Sequence, residues 1–319
     1  MSALAVAAGV TVAALTLYAV FGGADFGGGV WDLLASGPRR AQQRDTIVDA
    51  IGPVWEANHV WLIFAWVALF TCFPPAYADV CTYLNAPLTL ALLGIVLRGA
   101  AFVFRNYTSG NAMLARTWSF VFGAASLIAP FFLGDTIGAL ATGRYAWTSP
   151  FALAVGLFNV TLCAQVAAVF LIAEARDPAL RDDFRRRAIY ATVAVWIVGL
   201  VPVLLARSGE PQLFAALLGP SARIAIVLAV LLGLAVMLMV ALRSARGARI
   251  AVAAEVVAVL AGWFGAQAPD LVPGRWTLAS AAAPPATLAA FLVVVACGAV
   301  VLVPSLIYLF AVFKIRSRG

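Results

Sequence analysis

Polar and charged positions fall into clusters along this chain, and between them run apolar stretches long enough to cross a hydrocarbon layer of roughly 30 Å. Nine such stretches are predicted as membrane-spanning helices, at about 4–35, 47–74, 79–104, 117–140, 150–173, 188–206, 221–242, 250–267 and 287–313. The expected fold class is therefore an all-α integral membrane protein with nine transmembrane helices. The first stretch has no basic residues before it and reads as a retained helix. Two helix bundles are expected inside one membrane domain. Residues 1–145 carry the charged motifs, and residues 146–319 form a second bundle with a final helix.

Charge orients these helices. Of 21 basic residues, all but Arg144, Arg207, Arg223 and Arg275 fall between spans 1 and 2, 3 and 4, 5 and 6, 7 and 8, or at the C-terminus. That asymmetry predicts an external N-terminus and a cytoplasmic C-terminus. The composition agrees, with 64% hydrophobic and 11% charged residues. The net charge of +7 then reads as a topology signal and a contact for anionic membrane lipid, not as a nucleic-acid surface.

Span 2 holds the chain's single histidine and an intramembrane carboxylate in Pro53-Val-Trp-Glu-Ala-Asn-His-Val-Trp61. Charges at that depth are costly and mark ion paths or partner charges. If one helix starts near Asp45, then Asp45, Asp49, Glu56 and His59 share a face and climb roughly 21 Å. Such a stripe can pass protons, with Asp49 as the entry; Asp45 and Asp49 can also be read as a helix cap and its first turn. Asp25 and Glu56 stand at similar distances from the turn near residue 40, so a helical hairpin places them at one depth. Gly27-Gly28-Gly29 beside Asp25 reads as a close helix contact. Arg98 either pairs with Asp25, Glu56 or a partner's anionic group, or snorkels to the interface. Asp135 and Glu255 rank lower, being placed within a few residues of helix ends, and Trp55, Trp61 and Trp66 read as packing or interface residues. One histidine and four methionines offer no convincing pair of haem ligands. No metal site, Walker loop or dinucleotide fingerprint is found. Cys72 and Cys81 are not expected to pair.

Gly-Ala-Asp-Phe-Gly-Gly-Gly at 23–29, Gly-Pro-Val-Trp-Glu-Ala-Asn-His-Val-Trp-Leu at 52–62, Phe-Pro-Pro-Ala-Tyr at 73–77 and Leu-Arg-Gly-Ala-Ala-Phe-Val-Phe-Arg at 97–105 resemble subunit II of cytochrome bd-type quinol oxidase. Ser149-Pro150-Phe151, Gln165, Ala286-Thr287-Leu288 and Val303-Pro304 extend the likeness over nearly the whole chain. The resemblance implies a bacterial cytoplasmic-membrane complex with a subunit I that carries the quinol site and haems b and d. Small accessory subunits are a further implied partner. It implies that quinol is oxidised, dioxygen is reduced to water, and protons come from the cytoplasm. This chain would ligate no haem itself, would stabilise subunit I and would help supply protons. Asp25 and Glu56 match acidic family positions, and Trp55, Asn58, Trp61 and Arg98 match supporting ones. Gly22 and Val103 stand where the family often has acids, and His59 where it often has Gln or Glu. The alternative read from the intramembrane acids is a proton-coupled transporter using Glu56, His59 and Asp25.

Overall fold

The computed structural model describes residues 2–51, 55–107 and 111–316, without the side chains at 55–57, 106, 112, 306 and 309–316. It is a helical bundle with one short hairpin. In chain order the elements are α1 (Ala3–Leu33), α2 (Arg40–Ile51), α3 (Trp55–Cys72), α4 (Pro74–Tyr83), α5 (Asn85–Tyr107), α6 (Ala112–Ala141) and α7 (Pro150–Glu174). They continue as α8 (Pro178–Gly209), α9 (Pro211–Leu217), α10 (Pro220–Ala241), α11 (Ala245–Gln267), β1 (Asp270–Val272), β2 (Trp276–Thr277) and α12 (Pro285–Arg316). Eight of these helices are long and apolar enough to cross a membrane, and α3 with α4 form a bent pair that passes the same test.

Local chemistry sets the helix boundaries. Ser2, Asn111, Ser149, Asp177 and Ser244 each cap a helix start with a side-chain oxygen. Proline follows the cap of α7 and α8, where its missing N–H costs no hydrogen bond. At Phe73-Pro74-Pro75 the chain turns by 118° between α3 and α4. The Cys72 carbonyl beside that turn accepts from the Ala283 N–H at 2.8 Å. One predicted boundary is corrected here. The span expected at 79–104 begins at Asn85, because α4 occupies 74–83. The span expected at 47–74 crosses residues 52–54, which lie outside the described residues; its described parts are α2 up to Ile51 and α3 from Trp55. Helix α2 is too polar for a hydrocarbon layer, and it buries only Gln43, Ile47 and Ile51, spaced four apart on one face.

Helix α1 is the axis of the packing, touching α3, α6, α7, α11 and α12. Helix α7 lies deepest, with 72% of its apolar window buried. Tight approach to α1 depends on glycine. A Cβ on Gly27 would strike the Cys163 carbonyl and Ala167 of α7, and one on Gly29 would strike Ser126 of α6. The glycine run therefore reads as expected, as a packing device. Beyond this axis α10 and α11 pair with each other, and α12 packs on α1 and α3 while leaving Val293, Val294, Val300 and Val301 exposed.

The two faces of the bundle are closed differently. At the arginine-rich face, Arg39 forms a two-pronged bond to Asp183, Gln43 donates to the same carboxylate, and Arg187 donates to Gln43. This ties α2 to α8. At the opposite face, Asp79 of α4 accepts from the Tyr145 hydroxyl at 3.1 Å and from Trp276 Nε1 at 2.7 Å, with Arg275 at 3.4 Å. There burial and the neighbouring Asp79 push the Tyr145 hydroxyl up to about 12.

Candidate functional site

Asp25 sits inside the bundle with 3% of its surface exposed. Helix α1 carries it past α3 and α5. Asn58 of α3 donates through Nδ2 to Asp25 Oδ2 at 2.7 Å, and Arg98 of α5 donates to the Asp25 main-chain carbonyl at 3.0 Å. Arg98 is 1% exposed, so it does not snorkel. Its guanidinium lies over the rings of Phe26 and Phe122, 5.4 and 5.2 Å from their centroids. Of the alternatives for Arg98, the pairing with Asp25 is realised through the backbone oxygen.

His59 follows Asn58 on α3, beside the contact that Asn58 makes with Asp25. Its ring centroid is 5.9 Å from Tyr18 and 5.8 Å from Phe26, and the Tyr18 hydroxyl lies 3.5 Å from His59 Nδ1. Tyr18 also explains one departure from the family pattern. A Cβ at Gly22 would meet the Tyr18 ring at 2.7 Å, so the tyrosine fills the space an acid would need. Val103, the other departure, is 42% exposed on α5. Trp61 packs against the small cluster of Tyr18, Phe26, Ala129 and Cys163. The side chains of Glu56 and Trp55 lie outside the described residues, as does the backbone of 52–54.

Asp45 and Asp49 of α2 line a cavity of about 480 Å³ at the arginine-rich face. Arg44, Val48, Arg105, Ala115, Arg116 and Ser119 complete its wall. Behind this cavity lies Asp32, fully buried, which was not among the residues expected from the sequence. Arg105 donates to Asp32 Oδ1 at 3.0 Å, and Arg44 Nε donates to its carbonyl at 3.2 Å with Oδ1 at 3.8 Å. A signal for it was present. Asp32 follows Asp25 by seven residues, which is two helical turns and the same face of α1. The acids that line up are therefore Asp32 and Asp25 on α1, joined to the face of the bundle by α2.

Three comparisons bear on this arrangement. The family model for cytochrome bd terminal oxidase subunit II matches residues 4–313. The chain belongs to that family. This subunit II chain is 37% identical over 92 residues to cytochrome bd ubiquinol oxidase subunit 2 of Bacillus subtilis, covering 29% of this chain and 27% of that protein. It is 26% identical over 170 residues to cytochrome bd-I ubiquinol oxidase subunit 2 of Escherichia coli K12, covering 48% of this chain and 44% of that protein. The matched regions thus span less than half the length of these curated relatives. Its fold is that of a chain in the bd oxidase of Geobacillus thermodenitrificans, with TM-score 0.82, 20% identity, and coverage of 98% of this chain and 99% of that one. Subunit II is a multi-pass integral protein of a bacterial membrane, and haems belong to the complex that the family forms.

This subunit II chain has one histidine, the commonest axial ligand of a haem. Its one histidine is wedged between Tyr18 and Phe26. Among the described residues no three His, Cys, Asp or Glu side chains gather around a common point. Two acids ranked low from the sequence are more deeply placed than expected. Asp135 of α6 is fully buried, and neither carboxylate oxygen is hydrogen-bonded among the described residues. Glu255 lies ten residues inside α11, not near its end, and is 1% exposed.

Proposed function

We propose that this chain is the non-haem-ligating subunit II of a quinol:dioxygen oxidoreductase in the bacterial cytoplasmic membrane. It stabilises a subunit I that holds haems b and d and the quinol site, and it carries protons inward as dioxygen is reduced to water. The redox chemistry, including electron transfer from quinol to dioxygen, is supplied by the groups of subunit I. Nine spans, an external N-terminus and a cytoplasmic C-terminus go with this reading, since the arginine-rich face then opens to the cytoplasm. The named relatives are ubiquinol or menaquinol oxidase subunits.

The observation that carries the proton role is the ladder on α1. Protons enter the cavity lined by Asp45 and Asp49. Asp32 stands behind two of its lining residues, Arg105 and Arg44, which balance its charge. Asp25 follows about 10 Å further in, a gap that requires water to relay a proton. Asn58 orients the Asp25 carboxylate through a single donor, and Arg98 anchors the backbone beneath it without neutralising it directly. His59 with Tyr18 lies beyond Asp25, and Glu56, two residues before Asn58 in the sequence, is assigned to the same path from its motif. A transporter would need the same acids, but the family match favours the oxidase.

The test is Asp25→Asn in the purified complex. Dioxygen consumption with quinol should fall by at least about a hundredfold, the lower range for loss of a proton-transfer group, while the reduced-minus-oxidised haem spectrum stays intact. An unchanged rate would remove Asp25 from the path. Loss of the haem bands would make its role structural.

A further inference from the structure

A second buried acid lies away from this ladder, between α7, α8, α10 and α11. Gln165 Nε2 donates to Glu255 Oε2 at 2.8 Å and to Thr192 Oγ1 at 3.1 Å, and the Thr192 hydroxyl donates to the Ala188 carbonyl at 2.8 Å. Gln165 and Thr192 are fully buried. Among the described residues, two polar atoms of this cluster have no partner: Gln165 Oε1, an acceptor, and Trp196 Nε1, a donor. Both Trp196 Nε1 and Glu255 Oε1 approach Gly233, whose Cβ, if present, would lie 2.8 Å from the first and 3.0 Å from the second. Glycine at 233 is what lets the indole N–H and the acid oxygen converge.

No cation reaches Glu255 among the described residues. It has no ion pair there, and the nearest arginine on its own helix, Arg249, is bound to Glu174 and to the Phe170 carbonyl. The described parts of the helices packed on α11 bring no balancing charge either. Arg223 stands in the first turn of α10 and Glu174 ends α7, while Asp25 and Asp32 of α1 face Asn58 and the Arg44–Arg105 pair. An ionised carboxylate with one amide donor is poorly supported in such a medium. A proton removes the charge and adds an O–H donor, which is what Gln165 Oε1 lacks. A carboxylic acid and a primary amide match, each bringing a donor and an acceptor.

We propose that Glu255 is a separate proton-binding site, held as a neutral acid and hydrogen-bonded to Gln165 directly or through one water. The two halves of the chain then carry the same device. Asp25 with Asn58 lies about 12 Å from the arginine-rich end of α1, and Glu255 with Gln165 about 15 Å from that end of α11. Each is a carboxyl group gripped by a side-chain amide from a neighbouring helix.

Infrared spectroscopy of the detergent-extracted protein with its copurifying subunits tests this. The expected result is a protonated-carboxyl C=O band that shifts in D2O, is lost in Glu255→Gln and persists in Asp25→Asn. In Gln165→Leu, which keeps the acid but removes its amide donor, the band should remain and move to higher frequency. This second variant decides the matter if Glu255→Gln does not assemble. If Glu255→Gln removes only carboxylate bands, or Gln165→Leu leaves the acid band unmoved, the proposal is overturned. A carboxylate band that responds to exchanging sodium for potassium would overturn it too, assigning the cluster to a cation.

Discussion

Asn58 and Arg98 treat the two ends of Asp25 differently. The amide holds the carboxylate and the guanidinium holds the main chain, so the side chain keeps one oxygen for exchange. Asn58→Leu should therefore disturb the acid without moving α1. Quinol-driven dioxygen consumption is expected to fall several-fold with haem content unchanged, and an unaltered rate would mean that the amide only fills space. Glu56→Gln, which keeps shape and removes the ionisable group, should slow the same reaction at constant haem content; full activity would exclude Glu56 from the path. Asp25, Asn58 and Arg98 were legible because polar residues in apolar runs stand out. Asp32 was passed over because it sits near a span end where acids are ordinary; its seven-residue spacing from Asp25 was the signal, and its burial behind Arg44 and Arg105 confirms its separate place. Removing Arg105 as Arg105→Leu would leave that acid with Arg44 alone, at a cost below the roughly 3–5 kcal/mol of a fully broken buried pair. The check is thermal stability of the purified complex, and an unshifted unfolding temperature would show the pair to be dispensable.

At the scale of elements, the acids depend on how closely α1 approaches its neighbours. Gly27 lies against α7 and Gly29 against α6, while a Cβ added at Gly9 of the same helix would meet no described atom within 4 Å. Gly27→Val should then cost at least about 1–3 kcal/mol in overpacking and lower the yield of assembled protein, whereas Gly9→Val should be tolerated. Size-exclusion profiles of the two variants would show it, and equal yields would mean that α1 is free to move aside. The helix periodicity predicted most of the elements. It missed the turn into α4, since apolar residues on both sides disguise a change of direction. The stripe expected from Asp45 to His59 crosses residues 52–54, which lie outside the described residues; on α1, Asp25 and Asp32 share a face two turns apart.

For the whole molecule, the exposed apolar surfaces of α10 and α12 are what membrane-spanning helices present to lipid or to a partner subunit. Expressed without subunit I the chain should purify colourless, and with it the pair should show haem b and d bands in the reduced-minus-oxidised spectrum. Haem bands from the isolated chain would contradict that division of labour. Helix α1 packs along α7, so residues 1–145 and 146–319 share contacts.

The sequence alone determined the membrane class, the arginine asymmetry, the family and the motif residues around Asp25. These depend on hydropathy, charge and local spacing, which are written in one dimension. The tertiary structure decided which of the buried groups meet. Asp32 gained Arg105 from 73 residues away, and Glu255 gained Gln165 from 90. Such pairings follow from helix packing, where glycine contacts and ridge geometry choose neighbours that no periodicity within a single helix records.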